Sequence, residues 1–477
     1  MISSIRSVRS AIAVAILAAL PSLGGPAPLR AAGASGPNFV MIIADDLARN
    51  EIGCYGGRNV PTPNIDRLAG EGLRFDHAIN SMAMCVPMRA STYTGLYPLH
   101  NGVTRNHAAS RAGLKSIVHY LKDLGYRVGL TGKKHCSPPS VYPFDPVPGF
   151  EPNCTAPKAD YTLDGIGAFM TRKADEPFCL FVCSVLPHAP WTVGDASRFP
   201  PDRLVLAPHW ADTPDTRKAF SRYCAEVAVL DQQVGDVVQL VDKLKLDRDT
   251  LVIFSGEQGP QFPRGKWTNY DHGIASAFIA RWPERVRAGA TTEAIIQYED
   301  IVPTFIELAG GAPPEGLDGR SFAGVLTGAR AGHRDCAFSI HNNVPEGRPY
   351  PIRTIRDTRH KLILNLTPDQ EYHEKHVMDI DREGYWRSWV EAARTDPEAA
   401  KALQRYVKRP AVELYDLRKD PWELENLAGR PELAELRADL EKRLREWLAQ
   451  QGDPGAALDR EENAEEKPGG KKGQKKK

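Results

Sequence analysis

Three short stretches of this chain bring together residue types that can do chemistry. Asp45-Asp46 follows directly on the apolar run at residues 39–44. Adjacent carboxylates repel, so a pair leaving a buried segment asks for a cation, and ligands that are all oxygen suit Ca²⁺ or Mg²⁺ better than zinc. Gly256-Glu257-Gln258-Gly259 offers a carboxylate and an amide oxygen in the equivalent place after a second apolar run, residues 251–254. Asp45-Asp46 alone reads better as an Asp-rich surface turn; two such run ends shift the balance toward a metal. The third stretch is Cys85-Val-Pro87-Met-Arg89. Pro87 suits the first turn of a helix, which sets Cys85 near the N-terminus, where the dipole and free N–H groups favour an anion. A thiol in that field, beside Arg89, is poised for reactivity rather than packing.

The elements that must hold these residues are legible as alternation. Residues 39–44, 126–130, 178–185 and 251–254 are continuous apolar runs bounded by polar or turn residues, the pattern of strands buried on both faces. Between them lie helical patterns, the clearest at 216–246 with Phe220, Tyr223, Val227, Val234, Leu240, Val241 and Leu244, and a shorter one at 300–308. Strands alternating with helices imply an α/β fold, a large and mostly parallel central sheet sandwiched by helices. Ligands collect beyond the C-terminal ends of such strands, which is where Asp45-Asp46 and Glu257-Gln258 fall. Further on, two extended pieces within 354–364, another at 413–417, and a helix with Leu433, Leu436, Leu440, Leu444 and Trp447 on one face predict a small C-terminal α+β subdomain with an antiparallel sheet.

Composition bounds the rest. The chain has 477 residues, 42% hydrophobic and 25% charged, which excludes a fibre, wholesale disorder and a multi-span membrane protein. Eight cysteines are too few for a disulfide scaffold. Cys179 and Cys183 lie four apart in one strand, about 13 Å between Cα atoms, too far to bridge. The net charge of +1 asks for neither nucleic acid nor a membrane surface, but it averages unlike parts. Arg6 and Arg9, the apolar run 11–20 and the small-residue site Ala32-Gly33-Ala34 form a secretory signal peptide, residues 1–34. Ten apolar residues make only about 15 Å of helix, half a hydrocarbon core, so stable membrane insertion is not expected. Residues 452–477 read as a disordered basic tail. Without leader and residues 461–477, the chain has 52 basic against 56 acidic residues, a mildly acidic body. The expected organisation is thus a catalytic domain at 35–343, a C-terminal subdomain at 344–451, and the tail. Asn153-Cys-Thr155 and Asn365-Leu-Thr367 fit the glycosylation sequon.

Cys85-x-Pro87-x-Arg89 resembles the signature of the sulfatase family, in which the cysteine is oxidised to formylglycine, the catalytic aldehyde. The resemblance extends through Asp45-Asp46, Thr62-Pro-Asn-Ile-Asp-Arg-Leu68, Gly125-Tyr126, Thr131-Gly-Lys133-Lys-His135, Pro187-His188-Ala-Pro190, Glu413-Leu-Tyr-Asp-Leu417, Asp420-Pro421 and Asn426-Leu427. Within sulfatases the chain is most similar to the sulfamidases, on Gly132-Lys-Lys-His-Cys-Ser-Pro138, Val141-Tyr-Pro-Phe-Asp145, Gly259-Pro-Gln-Phe-Pro263 and Gly265-Lys266. The resemblance implies an alkaline-phosphatase-like fold and one calcium ion held by Asp45, Asp46, Glu257, Gln258 and the oxidised Cys85. It gives Arg89 the aldehyde hydrate, and Lys133, His135, His188 and Lys266 the sulfate and leaving group. It further implies that a hydroxyl of the hydrate attacks sulfur while His188 protonates the leaving atom, and that His135 takes a proton when the aldehyde is restored. The implied partners are a sulfated carbohydrate and a formylglycine-generating enzyme. The implied location is periplasmic or secreted, lysosomal for a eukaryotic source.

Three departures stand out. Glu257-Gln258 replaces the usual Asp-Asn or Asp-His pair and is one methylene longer on each side chain. Val86 and Met88 replace small residues around Pro87. Lys266 stands where sulfamidases carry Arg, a point charge in place of a bidentate fork. Hydrolysis of N-sulfate on glucosamine of heparin or heparan sulfate is the leading expectation. An O-sulfatase on another glycan, an arylsulfatase, and a phosphodiesterase or phosphonate hydrolase of the same superfamily are alternatives. A non-catalytic sulfated-glycan-binding protein is the reading if Cys85 stays a thiol. His100, His107 and His272 carry no assigned role.

Overall fold

The computed structural model describes residues 36–173 and 175–460; the expected signal peptide and residues 461–477 lie outside the described residues. Nine strands form the large sheet: β1 (Asn38–Ala44), β2 (Leu73–Ile79), β3 (Arg127–Gly132), β4 (Asp145–Pro146), β5 (Phe178–Cys183), β6 (Thr250–Gly256), β7 (Ala275–Ser276), β8 (Phe278–Arg281) and β9 (Ala290–Gln297). Their order is β4-β3-β5-β1-β6-β8-β2-β7, with β9 also paired to β2. β3, β5, β1 and β6 are parallel neighbours. β8 runs against both β6 and β2, so β2 points the same way as β6.

The continuous apolar runs are explained by burial on both faces. Val40, Ile42 and Ala44 of β1 join a core with Phe220, Tyr223 and Val227 of the long helix Pro214–Lys243. Phe39, Met41 and Ile43 join a second core on the opposite face, with Val302 and Phe305 of the helix Ile301–Leu308. The long helix starts two residues before its apolar pattern. Thr213 accepts the Thr216 N–H at 3.1 Å, and Pro214, which has no N–H to leave unpaired, opens the first turn.

Four antiparallel strands make the second sheet: β10 (Ala337–His341), β11 (Ile352–Arg356), β12 (His360–Asn365) and β13 (Val412–Asp416). β10 lies ahead of residue 344, inside the stretch that sequence assigned to the larger body. It is tied to the approach to Cys85, with Ile340 N–H donating to Ser81 O at 2.8 Å and Ser339 Oγ to Asn80 O at 2.5 Å. The helix Ala434–Gln450 covers β11 and β12, and its Trp447 stacks on Phe338 at 4.6 Å.

The expected disordered tail is corrected in its first part. Residues 452–460 are built into the fold: Asp453 pairs with Arg353 at 2.8 and 2.9 Å, and buried Asp459 accepts the N–H groups of Asn343, Val344 and Tyr350 at 2.7–2.8 Å. Polar composition concealed two carboxylates that have buried partners. Of the two sequons, Asn153 is exposed, whereas Asn365 is buried and donates to Pro410 O and Glu413 Oε1, both at 2.7 Å.

Candidate active site

The parallel register brings four strand ends level. Glu257 N–H donates to Ala44 O at 2.8 Å, Ser184 N–H to Ile43 O at 2.9 Å, and Lys133 N–H to Cys183 O at 3.0 Å. Asp45-Asp46, Glu257-Gln258, the 184–188 loop and Lys133 therefore leave the sheet at one edge. Asp46 sits in the left-handed region at φ 59°, held by Tyr223 of the long helix. The Tyr223 hydroxyl donates to Asp46 O at 3.2 Å and accepts the Ala48 N–H at 2.8 Å. Cys85, five residues beyond Asn80, is the first residue of the helix Cys85–Thr94, every residue of which is buried.

Nine of the ten expected residues meet in one buried mesh. Cys85 Sγ lies 3.6 Å from Asp45 Oδ1 and 3.4 Å from Gln258 Nε2, which donates to Asp46 Oδ1 at 2.5 Å. Lys133 Nζ donates to Asp45 Oδ2 at 2.5 Å and Lys266 Nζ to Asp46 Oδ2 at 2.8 Å. Arg89 holds both oxygens of Glu257, at 3.2 and 2.8 Å, and its Nη1 donates to Lys133 O at 2.5 Å. His188 Nδ1 meets Ala189 O at 2.6 Å, which turns Nε2 toward Asp46 Oδ2 at 3.6 Å. Burial opposes the charge on Asp45, yet Lys133, His188 and Arg89 hold its carboxyl well below the usual range. Burial likewise opposes the charge on Lys133 and Lys266, and Asp45 and Asp46 keep the two ammonium groups protonated.

His135 departs from the expected geometry. A chain that stayed extended after β3 would point Lys133 and His135 the same way. Gly132 at φ 81° and His135 at φ 51° bend it instead, so Lys133 turns inward to Asp45 while the His135 ring lies 5.3 Å from that of His107. Burial first, then Lys133 and Arg89, push the His135 imidazole far below its usual pKa. It is neutral, and its Nδ1 has no hydrogen-bond partner.

The donor set fits a hard cation. Ligand atoms of Asp45, Asp46 and Cys85 lie within 4.8 Å of one another. Gln258 Oε1 is buried without a partner, and an amide can present either its oxygen or its N–H to the same point. Glu257 differs from expectation in that Arg89 engages both of its oxygens; the extra methylene carries the carboxylate across to the guanidinium.

Sequence reasoning missed several neighbours. Cys154 offers a sulfur within 4.8 Å of ligand atoms of Asp45 and His188, and nothing in its loop signals this. Trp267 lies beside Lys266 and stacks on His376, and ligand atoms of His376, Glu346 and Glu374 lie within 4.8 Å of one another. Trp267, next to Lys266, was the one with a local cue. His272 faces His209 at 3.2 Å inside the protein, and His100 faces Asp318 at 2.9 Å.

A family profile described as Sulfatase matches residues 37–312, and one described as N-sulphoglucosamine sulphohydrolase, C-terminal, matches residues 264–383. The chain belongs to the sulfatase family, and its reaction class is that of a sulfatase hydrolase. An ulvan-active sulfatase of Formosa agariphila is 34% identical over 423 residues, covering 87% of this chain and 81% of the relative. The N-sulphoglucosamine sulphohydrolase of Homo sapiens is 29% identical over 467 residues, covering 87% and 91%. A solved structure in complex with its substrate D-glucosamine-2-N,6-O-disulfate aligns at TM-score 0.67 and 19% identity, covering 88% of this chain and 99% of that one. That likeness speaks for the fold, which is the expected alkaline-phosphatase-like one.

Proposed function

We propose that this sulfatase removes sulfate from sulfated sugars, with the N-sulfate of glucosamine as its preferred target, through a formylglycine made from Cys85 and a bound calcium ion. The observation that carries this reading is Cys85 itself. It is buried at a helix start, between two carboxylates and within a ring of Arg89, Lys133 and Lys266. An ordinary structural cysteine has no use for that company.

When bound, the ion supplies charge neutralisation at the sulfuryl oxygens, and the oxidised residue 85 supplies the nucleophilic oxygen. Asp45, Asp46, Gln258 and residue 85 would hold the ion, with Glu257 beside them on Arg89. Lys133 and Lys266 bring positive charge to the sulfate, and Arg89 fixes the end of the helix that carries residue 85. His188, oriented by Ala189 O, stands where a proton is needed on the departing nitrogen or oxygen. His135 is neutral, so one of its ring nitrogens carries a lone pair that can accept a proton, and its Nδ1 has no partner. Because Cys85 is buried, the maturating enzyme must reach it before the fold closes. The residue 1–34 leader supports export, to a periplasm or the exterior, or to a lysosome in a eukaryotic source. Among the described residues no helix is long and apolar enough to cross a membrane.

N-sulfate preference draws support from the match of residues 264–383 to the sulphoglucosamine profile. The ulvan-active relative, at higher identity, favours an O-sulfatase as the second reading. Sulfate release from N-sulfoglucosamine and from glucosamine 6-O-sulfate separates the two. The first reading expects kcat/KM to be higher on the N-sulfate; release from the O-sulfate alone would refute it.

A further inference from the structure

The buried mesh has neighbours that the proposed reaction does not use. Starting from Lys266, whose Nζ lies 4.9 Å from the centre of the Trp267 ring, contacts run outward from the mesh. Trp267 stacks flat on His376, 5.3 Å between centroids and 6° between planes. His376 Nε2 meets Glu346 Oε2 at 2.5 Å. Glu346 Oε1 lies 3.9 Å from His107 Nε2, and the His107 ring faces His135 at 5.3 Å. The chain of contacts thus leaves the mesh at Lys266 and ends at His135, the one expected residue that stands outside it.

This rim has the makings of a sugar site. The side chains of His107 and His376 are 66% and 34% exposed, whereas the floor residues Asp45, Asp46, Glu257 and Gln258 are 0%. Glu346 is itself only 2% exposed, with Oε2 taken by His376 and, at 3.4 Å, by Lys375. Its other oxygen has His107 beyond hydrogen-bond reach, and a carboxylate has about four acceptor positions to fill. Burial works against its charge, but His376, Lys375 and His107 hold the carboxyl down at about 2. Two buried polar atoms among these neighbours lack partners, Trp267 Nε1 and Glu374 Oε1, and orphaned buried polar atoms beside a candidate active site are the mark of a polar ligand. An aryl sulfate carries no hydroxyl to satisfy them.

We infer that Glu346, His376, Trp267 and His107 form the subsite for the pyranose that bears the scissile sulfate, with Glu346 accepting a hydrogen bond from a free hydroxyl or amine of that ring. The inference rests on the sulfated-sugar reading above and adds to it the residues that tell a sugar from a simple sulfate ester. Glu346 is here a specificity residue and does not touch the sulfur.

The test compares Glu346→Gln and His376→Ala with the parent enzyme on two probes, 4-nitrophenyl sulfate and whichever of N-sulfoglucosamine and glucosamine 6-O-sulfate the parent turns over. The expected result is a loss of kcat/KM on the sugar at least tenfold larger than on the aryl ester, carried mainly by KM. Equal losses on both probes, or no loss on either, would overturn the inference. Melting temperatures of both variants separate a folding defect, which lowers both activities together, from a lost sugar contact. A parent enzyme that hydrolyses the aryl ester and neither sugar would instead overturn the sulfated-sugar reading, and this inference with it.

Discussion

At the scale of single residues, the site is three ion pairs packed around a thiol. Asp45–Lys133, Asp46–Lys266 and Glu257–Arg89 are all buried, with the carboxylates fully inaccessible. Such pairs are costly to break, because the survivor is left charged in a poorly solvated place. Arg89→Ala is therefore expected to lower unfolding stability by about 3–5 kcal/mol in urea. The double variant Arg89→Leu/Glu257→Leu should recover part of that loss, since no lone charge remains. Recovery of nothing would mean that Arg89 acts by packing alone. The types of these residues were readable from the chain, as was their place at strand ends. The partner choice was not. Whether Glu257 faces an ion or Arg89 depends on one methylene and on a helix 168 residues away in sequence. The direction in which His135 projects escaped the sequence for a related reason, since a non-glycine residue at positive φ leaves no mark in composition.

At the scale of elements, the four parallel strands were legible because burial on both faces removes the polar half of the pattern. β2 (Leu73-Arg-Phe-Asp-His-Ala-Ile79) has partly exposed residues, and β8 is four residues long, so neither announces itself. The antiparallel strand inserted between β6 and β2 consequently escaped the sequence reading. The long helix does more than cover the sheet. Its Glu226 Oε1 accepts the N–H groups of Thr192 and Val193 at 2.8 and 3.0 Å, just after the loop that carries His188. Burial pushes the Glu226 carboxyl up to about 8, against the pull of those two N–H groups. The unfolded chain would ionise near 4.3. Between these values the unfolded state sheds the proton and the folded state keeps it, so this residue's contribution to stability falls as pH rises. Glu226→Gln keeps the acceptor and removes the titration. Its stability relative to the parent should rise between pH 5 and pH 8 by on the order of 1 kcal/mol per pH unit, read from urea midpoints. A difference that stays flat with pH would show that Glu226 is ionised in the folded protein.

At the scale of the whole molecule, the small antiparallel sheet is a second support for the segment that carries Cys85 rather than an appendage. β10 is hydrogen-bonded to Asn80 and Ser81, which lead into Cys85, and residues 342–348 and 372–376 supply the rim above it. The larger sheet brings the charged floor and the smaller body brings the walls, a division that periodicity alone could not reveal because it joins segments more than two hundred residues apart. Both bodies close over Cys85, which is 1% exposed. The proposed conversion of so enclosed a residue would have to precede the completion of folding. The direct measurement is the mass of the tryptic peptide spanning residues 75–89, taken from the protein made in its native host. The account predicts a species about 18 Da lighter than the thiol form, the change from CH₂–SH to an aldehyde. A peptide carrying only the unmodified cysteine would contradict it.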